Sequence, residues 1–174
     1  MSIYNDVYLI DSNILIEPSK KFYSFVIAPS FWTFLKDEIL NGNVILMDLV
    51  AHEVSKGTDT SLGSWMSELN IAPLDRRSPD ILTSYGKVMT HIQTSGLYTS
   101  RALTTWSGGD HADPWIVATA AARNYTVVTF EQPNHSLGTS LSSRPRIPDV
   151  CKEFGLTCIS LYQFMNTYNF SFSV

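Results

Sequence analysis

Short apolar runs alternating with stretches of helical periodicity predict an α/β fold, a three-layer sandwich with a central parallel sheet flanked by helices. Three observations carry this expectation. Four runs, Val7-Tyr8-Leu9-Ile10, Val44-Ile45-Leu46-Met47, Thr126-Val127-Val128-Thr129 and Leu156-Thr157-Cys158-Ile159, have the length and apolarity of buried strands. The segments between them place apolar residues at helical spacing. Ser, Asp, Pro and Gly stand where helix starts and stops need them.

The first strand runs into Asp11-Ser12-Asn13, which reads as a helix start because short polar side chains satisfy the free N–H groups of a first turn. A helix after Ala28-Pro29-Ser30 has Trp32, Leu35, Ile39 and Leu40 on one side and Gly42 as its stop. Beyond the second strand, Asp48 is placed to cap the helix that carries Glu53. Thr60 and Ser61 open another helix, with Leu62, Trp65, Met66 and Leu69 facing inward. Ser78-Pro79-Asp80 combines a cap, a proline at the first position and an acid at the positive end of the helix dipole. Its inner face is Ile81, Leu82, Tyr85, Val88, Met89 and Ile92, with Gly96 beyond the end.

A shorter helix spans Thr99 to Trp106, and Ser107-Gly108-Gly109 is a loop. Asp113-Pro114 then opens a helix whose apolar face is Ile116, Val117, Ala120 and Ala121. The segment from Glu131 to Arg146, rich in Ser, Pro, Asn and Gly, reads as a mobile loop. Pro148-Asp149-Val150 begins a short helix, and a last helix runs from Leu161 to Tyr168.

With 174 residues, 44% hydrophobic and 16% charged, the chain can bury a core as one domain over residues 1–174 and is too apolar for disorder. A net charge of −4 provides no global positive field for a polyanion, although a local basic patch or a metal can invert the potential at a site. No run approaches the ~20 apolar residues of a membrane span. Met1-Ser2-Ile3-Tyr4-Asn5-Asp6 lacks the basic start and apolar core of a secretion signal. Cys151 and Cys158 form neither a C-x-x-C pair nor a disulfide framework, so reduced, buried thiols and a cytoplasmic location are expected.

The chemistry lies in carboxylates at element ends. Asp11 follows the first strand, Glu53 sits early in a helix, Asp113 opens another, and Glu131 follows the third strand. In a parallel sheet, sites form beyond the carboxyl ends of the strands, so such acids can converge. Like charges at close range raise one another's pKa, and a cation relieves this. Oxygen donors without His or Cys at ligand spacing favour Mg²⁺ or Mn²⁺ over zinc. Position 56 is Lys, so His52-Glu53 does not start an H-E-x-x-H helix. The chain has no G-x-S-x-G elbow and no phosphate-cradling glycine loop, which favours hydrolysis by activated water over a covalent intermediate.

These residues carry a resemblance. Leu9-Ile10-Asp11-Ser12-Asn13-Ile14-Leu15, Asp113-Pro114-Trp115-Ile116-Val117-Ala118-Thr119-Ala120 and Asn124-Tyr125-Thr126-Val127-Val128-Thr129-Phe130-Glu131 resemble the first, third and fourth motifs of the PIN-domain family. Those proteins are metal-dependent ribonucleases, many of them VapC-like toxins of toxin–antitoxin pairs. Glu53 falls where that family has its second acid, and the resemblance extends from Tyr8 to about Phe164. It implies a PIN-like fold, an RNA substrate, Mg²⁺ or Mn²⁺ held by Asp11, Glu53, Asp113 and Glu131, an antitoxin protein as partner and a homodimer. Two features depart from the family. Glu131 replaces the usual Asp and precedes a long loop, and Asp110 and Asp149 are extra acids near the same edge, so Asp149 is an alternative fourth acid.

Each assignment has a plainer counterpart. Asp11 and Asp113 also suit helix starts, Glu53 a solvated helix face and Glu131 a turn. Asn13 and Thr129 are expected to fix carboxylate rotamers beside the site, or to serve as ordinary caps and turns. His52 and His111 are expected to be bystanders, and Trp32, Trp65, Trp106 and Trp115 to be core. Arg101, Arg123, Arg144 and Arg146 suit phosphate binding or an ordinary surface. Two other functions compete. A haloacid-dehalogenase-type phosphatase would need a second Asp at position 13, where the chain has Asn. A non-catalytic RNA- or protein-binding adaptor would have no use for four retained acids.

Overall fold

In a computed structural model, which describes residues 6–109 and 111–172, the chain forms a four-stranded, all-parallel sheet in the order β2-β1-β3-β4, flanked by helices. The α/β layering expected from the sequence is therefore present. The strands are β1 (Tyr8–Ile10), β2 (Val44–Ile45), β3 (Thr126–Val128) and β4 (Cys158–Ile159). The described helices are α1 (Asn13–Glu17), α2 (Pro29–Leu40), α3 (Asp48–Lys56), α4 (Thr60–Glu68), α5 (Pro79–Thr94), α6 (Ser100–Trp106), α7 (Asp113–Arg123), α8 (Ile147–Glu153) and α9 (Leu161–Thr167). A π-helical stretch, Pro18–Phe22, continues α1.

Register explains where the site forms. Tyr8, Leu9 and Ile10 pair with Thr126, Val127 and Val128, while Val127 and Val128 pair with Cys158 and Ile159. Asp11 and Thr129, each one residue past its strand, are therefore side by side at the carboxyl edge. The ladder continues one step at that edge: Asp11 N–H donates to Val128 at 3.1 Å and Thr129 N–H to Ile159 at 3.1 Å. Leu9, Ile10, Val127 and Val128 have no solvent exposure, as the central strands of a sheet covered on both faces require.

α7 is buried through Pro114 and Ile116–Ala120, more of its surface than a single apolar stripe would cover. Its small residues let it pack closely along α5, where Tyr85 stacks on Trp115 with ring centroids 3.8 Å apart. This contact, with the sheet behind, fixes the position of Asp113 at the first residue of α7. α7 ends at Asn124 in the left-handed conformation, with φ 55°, and its N–H returns to Ala120. Trp32, Trp65 and Trp106 are core, as expected; Trp115 is half-buried.

Several local expectations are corrected by long-range contacts. The second strand is shorter than Val44–Met47: Leu46 and Met47 leave the ladder to meet Leu74, whose N–H donates to Leu46 at 2.8 Å. Asp48 does not precede α3 as a cap, although its Oδ1 accepts from Leu49 N–H in the first turn at 2.8 Å. It is the first residue of that helix and pairs with Arg76, whose guanidinium also lies 5.6 Å from the Trp115 ring. Leu40 and Leu82 face solvent, while Phe31 and Ser84, outside the expected inner faces of α2 and α5, are buried.

The segment after Glu131 is not a free loop but is tied at several points. Asn134 N–H donates to both Asp149 oxygens, at 3.0 and 3.2 Å. Ile147 N–H donates to Glu131 Oε2 at 2.7 Å, and Arg146 to the Gln132 carbonyl at 2.8 Å. At its middle, Ser142 exchanges backbone bonds with Leu97 and Thr99, at 2.9 and 3.0 Å. The polar residues that suggested mobility are the ones that make or permit these ties. Cys151 and Cys158 are free thiols, and no described helix is long and apolar enough to cross a membrane.

Candidate active site

Asp11 is buried at the end of β1, with its carboxylate in a small net of donors. Thr129 Oγ1 donates to Asp11 Oδ2 at 3.0 Å, while Asn13 Nδ2 and Ser12 Oγ lie at 3.4 Å. Thr129 also accepts from Glu131 N–H at 3.1 Å, so a single hydroxyl links the first acid to the backbone of the fourth. Asn13 and Thr129, expected beside the site, both donate to the Asp11 carboxylate. The turn alternative holds for Thr129 as well, since its hydroxyl accepts from the N–H two residues on, while neither α1 nor α7 has a side-chain cap bond at its start.

Asp113 is within electrostatic reach of the other three expected acids, and Asp11 of Glu53 and Glu131. Burial raises the Asp11 carboxyl above the ordinary range against the Thr129 bond, and Glu53 adds to the rise. Asp113 is pushed up to about 8, first by burial and then by Glu131, Asp11 and Glu53. His111 Nδ1 stands 3.5 Å from Asp113 Oδ2, a marginal distance for holding that carboxylate ionised. Burial also raises Glu131, partly offset by the Ile147 N–H. Glu53, half-buried on α3, borders a neighbouring depression with Gly108, Gly109 and His111.

Asp149 plays a different part. It is buried in the first turn of α8 with both oxygens on Asn134 N–H, so it fastens the segment after β3 and does not border the cleft that Asp113 and Glu131 share. Asp110 lies outside the described residues.

Whether these acids suit a metal ion is a matter of donors and of closure. The donors suit one: three carboxylates act on Asp113 with no basic side chain among the causes that set it, although Arg146 acts on Glu131. Closure is incomplete, since among the described residues no three Asp, Glu, His or Cys side chains are gathered tightly enough to grip an ion as they stand. Glu131 spends one oxygen on Ile147 N–H and Asp11 one on Thr129, so closing on an ion would require these carboxylates to move.

Asp113 and Glu131 open into a cleft of about 580 Å³ between α6, the start of α7 and the segment after β3. Arg101, Arg144 and Arg146 line the same cleft. The sequence grouped these with Arg123 without distinguishing them. In the fold Arg123 is spent on Asp80 and Ser78, away from the acids. The available signal was Arg144-Pro145-Arg146 placed after a strand-end acid, but its meaning depends on how that segment folds back.

The sequence matches, over residues 8–172, the model of a family described as a domain of unknown function, DUF4411. No curated protein matches it. Among solved structures, the chain is similar to one in the crystal structure of VapBC2 from Rickettsia felis bound to a DNA fragment from their promoter, with a TM-score of 0.53. Sequence identity is 18%, over 88% of this chain and 98% of that one, so the likeness is one of fold, in line with a PIN-like architecture.

Proposed function

The chain belongs to the DUF4411 family, and we propose that it is a metal-dependent endoribonuclease acting as the toxin of a toxin–antitoxin pair. The observation that carries this reading is the approach of Asp11, Glu53, Asp113 and Glu131 at one edge of a parallel sheet, with Asp11 and Asp113 driven toward protonation. Such an arrangement costs stability without a cation and recovers it with one. Oxygen donors alone suit Mg²⁺ or Mn²⁺. When bound, the ion would supply a water of lowered pKa and a counter-charge for a phosphodiester.

The chain's own residues do the positioning. Asp11 is held in one rotamer by Thr129 and Asn13. The α5–α7 packing sets Asp113, and Glu131 is fixed through both its N–H and its carboxylate. The cleft beside them, open to solvent, supports the entry of a strand of substrate. The fold shared with VapBC2, and the exposed apolar side chains of Phe22, Val26 and Ile27, support protein partners, an antitoxin first and a second copy of the chain next.

The test is incubation of purified protein with structured and unstructured RNA, with Mn²⁺ or with EDTA. Cleavage is expected with Mn²⁺ only. Intact RNA under both conditions, or cleavage that EDTA leaves untouched, refutes the reading.

A further inference from the structure

Three of the chain's six arginines line the cleft that holds Asp113 and Glu131, in a protein whose net charge is −4. They are not equivalent. Arg146 donates to the Gln132 carbonyl, so part of its guanidinium is spent on tying the segment after β3. Arg101, on α6, and Arg144, on that segment, are exposed, and their guanidiniums have no hydrogen-bond or ion-pair partner among the described residues. By contrast, Arg76 is paired with Asp48 and Arg123 with Asp80.

Arg144 is held at the cleft by folding, not by chance. Ser142 Oγ accepts from Arg144 N–H at 3.2 Å, while Ser142 itself is bonded to Leu97 and Thr99 just before α6. The same contacts therefore bring Arg101 and Arg144 to one cleft from sequence positions far apart. Free guanidiniums opposite a carboxylate cluster suit a ligand that is anionic along its length. A guanidinium fork matches phosphate oxygens in particular.

We propose that Arg101 and Arg144 form a phosphate-binding wall that grips the backbone of a single-stranded RNA beside the phosphodiester presented to the acids. This rests on the ribonuclease reading and adds the way the strand is held. A single strand can bend its backbone into a cleft between α6 and a folded segment, whereas a rigid duplex would have to lie across the rim. Arg146 is a positioning residue for this wall.

The test is fluorescence anisotropy with a labelled single-stranded RNA in EDTA, beside cleavage kinetics with Mn²⁺. Arg101→Gln/Arg144→Gln is compared with wild type and with Lys87→Gln/Lys152→Gln, which removes equal charge outside the cleft. The cleft variant is expected to bind about tenfold or more weakly. Its dependence of log Kd on log salt should flatten by about 0.7 for each phosphate that the variant leaves unneutralised, and KM should rise more than kcat falls. The lysine control should behave as wild type.

Equal weakening in both double variants overturns the proposal in favour of diffuse charge. Unchanged binding and KM in the cleft variant also overturns it, leaves the ribonuclease reading intact, and turns the arginines toward an acidic protein partner. Wild type that binds RNA through these arginines but never cleaves it refutes the ribonuclease reading and leaves the wall standing.

Discussion

Asp113→Asn and Asp11→Asn are expected to abolish Mn²⁺-dependent RNA cleavage while the metal-free proteins melt above wild type. Metal-assisted phosphodiester chemistry draws several kcal/mol from the ion, and each ~1.4 kcal/mol is tenfold, so losing one ligand should cost about 10²–10³-fold or more. Stability moves the other way for an electrostatic reason. Asp113 has its carboxyl raised to about 8 from an ordinary value of 3.8 by burial and three neighbouring acids. Between those two values the native state holds a proton that the unfolded chain has released. Metal-free stability therefore falls as pH rises through that window, and the loss is complete above about 8.

Asparagine carries no charge at any pH, so the advantage of Asp113→Asn over wild type should widen from the acid side up to about pH 8. A gain on the order of 1–3 kcal/mol corresponds to several degrees for a domain of this size, at about 2–4 °C per kcal/mol. Thermal melts across pH in EDTA measure it. Undiminished cleavage by either variant refutes the catalytic assignment. A melting temperature that drops at every pH would mean that these carboxylates stabilise the fold instead.

The second large effect separates Glu131 from Asp149. Glu131→Gln should lower kcat by at least ~10²-fold, because it borders the cleft with Asp113 and adds to the rise of that carboxyl. Asp149→Asn should cleave at close to the wild-type rate. Its oxygens are spent on Asn134 N–H, and the asparagine carbonyl can still accept that bond. A small drop in melting temperature is expected instead, about 1 kcal/mol or less for weakening a charge-assisted hydrogen bond. Parallel single-turnover assays decide between them. An inactive Asp149→Asn beside an active Glu131→Gln would move the fourth acid to α8.

The parts of this site written locally were legible in the sequence. A strand-end acid with a polar triplet, and an Asp-Pro at the head of an alanine-rich helix, mark Asp11 and Asp113 whatever the remaining contacts are. The parallel register then makes Thr129 the neighbour of Asp11 without further information. Features set by distant partners were not legible. Apolar periodicity reports extended backbone, not pairing, so Leu46 and Met47 looked like ladder residues although their partner is Leu74. Asp48 had the identity of a cap, and one of its oxygens does accept from Leu49 N–H, but the other is held by Arg76, 28 residues away. The composition of residues 131–146 suggested freedom, while Asp149, Glu131 and Ser142 bind that segment to the body of the protein. Those same ties bring Arg144 to the cleft, and for that reason its role could not be separated from that of Arg123 beforehand.

The central claim is that these four acids together hold a divalent ion, and calorimetric titration of Mn²⁺ near neutral pH, in two buffers of different ionisation enthalpy, tests it most directly. Asp113, with its carboxyl near 8, holds a proton there that the ion must displace. The account predicts saturable binding with net proton release in wild type, and neither in Asp11→Asn/Asp113→Asn. Wild type that shows no saturable binding, or a double variant that gives the same isotherm as wild type, would contradict it.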